Sequence, residues 1–145
     1  MGSKHHVIVD RWGIPLAPPM LTASNVPDVI TLLAMVDRIA PVRGRPGRPR
    51  QRPAKVHTDM GYISAANRRG LRARGIVPRI ARKGIESRER LGRYRWVAER
   101  ELAWLHRLRR LLIRYERRPD IQEAFLTLAS ILILWRAVRR LDTDN

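Results

Sequence analysis

Hydrophobic positions along the chain fall into short extended runs first and longer helical stripes later. Residues His5–Asp10 (HHVIVD) predict a strand closed by a turn at Trp12-Gly13, and 14–21 (IPLAPPML) predict a second extended segment. Prolines 15, 18 and 19 confine that second segment to an edge, because proline cannot donate to a ladder; the two together read as a hairpin. Apolar residues at 29, 30, 32, 33, 36 and 39 have helical spacing, with Ser24 or Asn25 as cap and Pro27 in the first turn. Lys55–Asp59 predicts a short strand. Ser64–Arg74 predicts a basic helix with Ser64 as N-cap and Gly75 at its stop, and 76–81 a further strand. Residues 93–115 contain no Gly or Pro and predict one long helix, with Val97, Trp104, Leu108, Leu111, Leu112 and Tyr115 on one stripe. Pro119 breaks the chain, and 121–140 predict a last helix. Its apolar stretch, Ala124 to Trp135, is too short to span a bilayer and reads as buried. Strands alternating with helices point to an α/β layer fold.

Composition adds a partner. At 145 residues the chain is expected to be one domain, 1–145, with an ordinary hydrophobic share of 44%. Its 30 Lys plus Arg against 13 Asp plus Glu give a net charge of +17. Such a field draws polyanions, with nucleic acid the default and an anionic membrane surface the other candidate. All but three of the basic residues (Lys4, Lys55, Lys83) are Arg. Guanidinium forks suit bidentate phosphate contacts, and a GC-rich genome produces the same bias; both readings stand. Without cysteine, disulfides, zinc-thiolate sites and thiol catalysis are excluded. The first residues lack the apolar run of a signal peptide, so a soluble cytoplasmic protein is expected.

One segment carries charge and nothing to bury. Residues 41–53 (PVRGRPGRPRQRP) have five Arg, four Pro and no hydrophobic residue after Val42, so an exposed Arg/Pro-rich loop is expected over 41–54. Arg43-Gly44-Arg45-Pro46 resembles the core of an AT-hook, whose slim basic backbone enters a narrow minor groove. The plainer alternative is a solvated loop that touches phosphates weakly. Arg43, Arg45 and Arg48 are the loop's candidate DNA contacts.

Acids are scarce enough to be informative. A carboxylate in so positive a chain is either neutralised by ion pairs or held for a cation. Asp59 ends a strand and Glu99 lies on the long helix, on the side away from its core stripe. A surface Glu99–Arg95 pair one turn apart, a common device contributing about 0.3–0.5 kcal/mol, is the competing explanation for Glu99.

Wording decides further. The runs Lys55-Val56-His57-Thr58-Asp59-Met60-Gly61-Tyr62, Leu71-Arg72-Ala73-Arg74-Gly75-Ile76-Val77-Pro78-Arg79-Ile80, and Leu91-Gly92-Arg93-Tyr94-Arg95-Trp96-Val97-Ala98-Glu99-Arg100 follow one another in order. With the opening Gly2-Ser3-Lys4-His5-His6 and its hairpin, they resemble the catalytic domain of bacterial insertion-sequence DDE transposases over nearly the whole chain. That resemblance implies a ribonuclease-H-like mixed sheet flanked by helices. It implies two Asp and one Glu holding two divalent metals, Mg²⁺ or Mn²⁺, for DNA cleavage and strand transfer. It maps the second acid to Asp59, the third to Glu99, and a basic residue of the Glu-helix signature to Arg95. Related groups also carry a Tyr and a Lys where this chain has Gly92 and His106, so only the Arg–Glu half of that signature carries over. The chain departs again at Ile63, usually Asp, and at Glu101, which falls within the apolar stripe.

Arg68, Arg72, Arg93 and Arg95 are expected to neutralise backbone phosphates. His57, two residues before Asp59, reads as structural. The resemblance puts the first acid on a central strand upstream of Gly2, so this chain is expected to be a partial catalytic domain lacking that strand and its Asp. Asp10 is not a substitute, since it ends the following strand. An upstream transposase half or a second protomer is the expected complement, with DNA (element ends and target) as partner, no membrane, and a bacterial, nucleoid-associated location. A catalytically inactive DNA-binding remnant is the alternative. A split or frameshifted reading frame, decay, and a misplaced start all remain open as origins.

Overall fold

The computed structural model describes residues 2–44, 46–81, 96–97, 99–100 and 102–143. It separates into two compact units, one of residues 1–24 with 96–145 and one of 25–95.

The first unit opens with the expected hairpin in a shifted register. Strand β1 (Ser3–His6) pairs antiparallel with β2 (Met20–Ala23), Ser3 opposite Ala23 and His6 opposite Met20. The strand predicted over 5–10 therefore starts and stops earlier, and only an isolated Val9–Pro15 bridge continues the ladder. Two causes are visible. Prolines 18 and 19 offer no donors in the middle of the expected second segment, and the strand begins only after them, at Met20. Asp10 Oδ1 accepts from Trp12 N (2.7 Å) and Ile14 N (2.9 Å), bending the chain into its turn. Asp10 thus has a structural task.

The long helix predicted over 93–115 is not continuous. Residues 102–106 are helical, the chain leaves the helix at 107–108, and a single turn, α3 (Arg109–Leu112), follows. Leu108 has extended angles (φ −85°, ψ 116°). No Gly or Pro marks the break; packing dictates it. The break turns Leu111 into a cluster with Leu105, Leu126, Ala129 and Ile133. Leu112 and Tyr115, expected on the core stripe, are instead 62% and 66% exposed.

The last helix, α4 (Pro119–Thr143), has 25 residues and begins on the proline expected only to break the chain. Proline suits the first helical position because its missing N–H has no intrahelical partner there. One face buries Leu126, Ala129 and Ile133, with the polar Gln122 and Ser130 among them. The opposite face exposes Leu128, Ile131, Trp135 and Val138. The expectation of a buried helix too short for a bilayer is corrected on both points. By length and composition α4 is long and apolar enough to cross a membrane, and only 28% of its apolar window is buried.

The second unit follows its predicted elements closely. A 3₁₀ turn at Asp28–Ile30 leads into α1 (Leu32–Asp37), where one helix was expected over 27–39. Strand β3 (Lys55–Thr58) and β4 (Val77–Ile80) pair in parallel, joined through α2 (Ala65–Ala73). Ser64 Oγ caps α2 by accepting from Ala66 N and Asn67 N. Gly75 ends it at φ +72°, which glycine adopts without steric cost. At Gly70 the absent side chain lets α1 approach: a Cβ there would stand 2.5 Å from Leu33 Cδ1. Val56, Leu71, Ile76, Ile80 and Ala81 form the buried seam of this β-α-β unit.

Among the described residues the strands form two separate two-stranded ladders, one antiparallel and one parallel. This is a mixed α/β structure with small sheets. It is compatible with a ribonuclease-H-like layout, while a single sheet joining all the strands is not formed among these residues.

Candidate metal-binding and DNA-contacting residues

Asp59 follows the last residue of β3, where the chain turns into the 3₁₀ turn Met60–Tyr62. Its Oδ1 accepts from Gly61 N at 2.9 Å, which fixes the carboxylate at the strand end while leaving it exposed. Three other acids in this basic chain are neutralised by ion pairs: Asp37 by Arg74 (2.6 Å), Glu116 by Arg110 (3.3 Å) and Asp120 by Arg118 (2.5 Å). Asp59 makes no ion pair among the described residues.

The turn carrying Asp59 is clamped from behind. Buried Asn67, on α2, donates through Nδ2 to Tyr62 O (3.0 Å) and to Val29 O (2.8 Å). One amide therefore holds the 59–62 turn, the 28–30 turn and α2 together. The same arrangement brings in an acid that the sequence reading missed. A Cβ at Gly61 would stand 3.2 Å from Asp59 Oδ1 and 3.3 Å from Asp28 Oδ2, so both carboxylates flank this glycine. Burial pushes the Tyr62 phenol above its ordinary value, and the negative charges of Asp59 and Asp28 push it the same way. In sequence Asp28 reads as a first-turn helix acid after Pro27; only the fold places it beside Asp59.

Glu99 lies in the other unit, exposed, in a helical stretch with Trp96, Val97 and Arg100. Val97 is buried, so this stretch packs through one side and presents Glu99 on another. Arg100 stacks on Trp96 and Trp104, 4.6 and 5.0 Å from the ring centroids, and donates to Trp12 O. Its charge is thus committed to cation–π contacts and the hairpin turn. Asp59 and Glu99 belong to different units.

The basic candidates divide. Arg43 and Arg48 are exposed on the loop, which an isolated Val42–Arg50 bridge closes. Arg72 is exposed on α2. Arg68 was expected on phosphate, but it is half-buried and its Nη2 donates to Ile80 O at 3.1 Å, tying α2 to β4. That bond gives Arg68 a structural role which competes with DNA contact. Arg45, Arg93 and Arg95 lie outside the described residues. His57 is exposed on β3, on the face opposite buried Val56. Among the described residues no group of three or more acidic, His or Cys side chains forms a ready metal cage.

Comparison with known proteins agrees with the wording of the motifs. The profile of the family described as "Transposase DDE domain" matches residues 1–134. A curated protein of Burkholderia cepacia, "Putative transposase for insertion sequence element IS402", is 54% identical over 141 residues, covering 97% of this chain and 66% of its own length. This chain thus spans just under two-thirds of that relative. No solved structure matches. A match over nearly all of the chain, together with this identity, establishes that the chain belongs to the DDE transposase family.

Proposed function

We propose that this chain supplies the second and third acids, Asp59 and Glu99, of a divalent-metal site that cleaves and joins DNA phosphodiesters during transposition. The observation that carries the reading is Asp59 itself: an exposed carboxylate, fixed at a strand end by the Gly61 amide, without an ion pair among the described residues of a chain with net charge +17. Asp28, on the other side of Gly61, adds a second negative charge, and a bound cation would relieve the repulsion between the two carboxylates.

The donor set suits the ion. Carboxylate oxygens are hard ligands, and Asp59 keeps Oδ2 outside its hydrogen bond to Gly61 N. Asp28, on the neighbouring 28–30 turn, adds a second oxygen source. When bound, Mg²⁺ or Mn²⁺ would activate a water or 3′-hydroxyl and stabilise the departing oxygen. An Asp from outside this chain, from an upstream transposase half or a second protomer, would complete the two-metal site. The residues of this chain hold the geometry: the Asn67 clamp sets the Asp59 turn, and Val97 anchors the helical stretch that presents Glu99. Arg43, Arg48 and Arg72, which are exposed, are proposed to neutralise duplex phosphates together with Arg45, Arg93 and Arg95. The setting proposed is the bacterial cytoplasm, at the nucleoid.

The experiment compares the chain with its Asp59→Ala and Glu99→Ala variants for Mg²⁺-dependent nicking of supercoiled DNA and for DNA retention at fixed salt. Loss of nicking with retained binding supports the enzyme. Binding without nicking in the unmutated chain, even when mixed with the upstream portion of the relative, supports the alternative of an inactive DNA-binding remnant.

A further inference from the structure

The first unit contains a cleft of about 410 Å³ lined by Ser3 and His5 of β1, by Leu102 and His106, and by Arg114 beyond α3. Neither Asp59 nor Glu99 lines it, and no carboxylate does. The His5 and His106 rings lie 6.2 Å apart at 59° to one another. The pair is tilted rather than stacked, a loose edge-to-face contact, and both rings line the cleft. Neither ring has a hydrogen-bond partner among the described residues, whereas neighbouring His6 is committed to Thr22 Oγ1 at 2.8 Å.

Arg114 is set in place rather than trailing into solvent. Its Nε donates to Glu116 O (2.9 Å) and its Nη2 to Arg117 O (3.3 Å), which orients the guanidinium; Nη1 has no partner among the described residues. The cleft therefore collects three cationic or cation-forming donors, and no acid lines it among the described residues. Burial lowers the pKa of His5, and the positive neighbours His106, Arg114 and His6 lower it further. An empty cleft of this kind opposes its own protonation, and an anion would relieve that opposition. A metal cation is disfavoured, because Arg114 repels it and no acid lines the cleft among the described residues.

We propose that this cleft is a binding site for a phosphate group, held by His5, His106 and Arg114. Charge-assisted hydrogen bonds from a fixed Arg and two imidazoles match the tetrahedral oxygens of phosphate and give it preference over spherical anions such as chloride. The same chemistry serves free phosphate or the phosphate of a nucleic-acid backbone. Each unit by which phosphate raises a histidine pKa corresponds to about tenfold tighter binding to the protonated ring.

The test is an NMR titration of the histidine rings in the full chain. Sodium phosphate is added against sodium chloride at matched ionic strength, and His57, in the other unit, is the internal reference. The site predicts saturable movement of the His5 and His106 signals with phosphate alone and a raised His5 pKa. His106→Gln, at an exposed position, should weaken phosphate binding at least fivefold without altering the circular dichroism spectrum. Arg114→Gln should weaken it more; if that variant misfolds, the His106→Gln result stands by itself. A second arm adds a short DNA duplex. Displacement of phosphate by duplex assigns the site to backbone phosphate, and continued occupancy by free phosphate assigns it to the small anion. Absence of saturable phosphate shifts, or equal shifts with chloride, overturns the proposal whatever the duplex does. No metal or cleavage enters the readout, so failure of the catalytic proposal leaves this test unaffected.

Discussion

Replacing Asn67 by Ala should loosen the Asp59 turn without touching Asp59. Asn67 is 5% exposed and its amide makes two hydrogen bonds, to Val29 O and Tyr62 O. Each is worth about 1 kcal/mol net, and carbonyls left unpaired in a buried setting add roughly 1–3 kcal/mol more. The expected loss is about 3–5 kcal/mol, roughly a 150- to 5000-fold fall in local stability. All four tryptophans (12, 96, 104 and 135) lie in the first unit, so their fluorescence does not report this change. Amide hydrogen exchange over 65–73 does. Protection there should fall by at least about 150-fold in Asn67→Ala while the Trp-detected urea midpoint stays put. Asn67→Asp should be worse than Ala at neutral pH and improve on acidification, because only the protonated acid can donate to a carbonyl. A protection loss below about threefold in Asn67→Ala would refute the clamp, as it corresponds to less than one hydrogen bond.

Other expectations follow from the same geometry. The Arg74 guanidinium holds the Asp37 carboxyl below its ordinary value of 3.8, so this pair stabilises the fold above that pH and its contribution fades as pH falls through the lowered value. Asp37 is about half exposed, and Asp37→Asn should cost only about 0.5–1 kcal/mol at pH 7 in a urea melt followed by circular dichroism. Lowering of the His5 pKa has its own pH window: the fold holds its full stability above 6.5 and loses some as pH drops below it, and His5→Gln should flatten that acid limb in a Trp-fluorescence melt. Gln122 is fully buried with both amide atoms lacking partners among the described residues, so Gln122→Met should raise the Trp-detected stability by roughly 1–3 kcal/mol. Removing Arg43 and Arg48 together should lower the salt slope of duplex binding by about two.

How far the sequence carried depends on whether a feature was local. The β3-α2-β4 unit was readable because each boundary has its own chemistry: the Ser64 hydroxyl starts α2, Gly75 stops it in the left-handed region, and Val56 and Ile80 point into one core. The break at Leu108 was not readable, since no residue there disfavours helix; it exists because Leu105 and Leu111 both reach the same cluster. The two-faced exposure of α4 was hidden for a related reason. Leu and Ile occur around its whole circumference, and composition cannot say which side is covered. Among candidate site residues, Asp59 could be read from the strand end and the family wording. Asp28 could not, because its proximity to Gly61 depends on the Asn67 bridge between elements 38 residues apart. The sequence offers Arg68 as a phosphate contact but could not show the Ile80 carbonyl that gives it a structural bond as well.

The central claim is that Asp59 and Glu99 hold one divalent-metal site, and Mn²⁺ tests it directly, because its unpaired electrons broaden NMR signals of nuclei close to it. The account predicts that amides around 57–61 and 97–102 broaden together along one titration curve, and that either Asp59→Asn or Glu99→Gln abolishes both effects. Broadening of one segment alone, or loss of only the mutated segment's response, would show that the two acids serve no common ion.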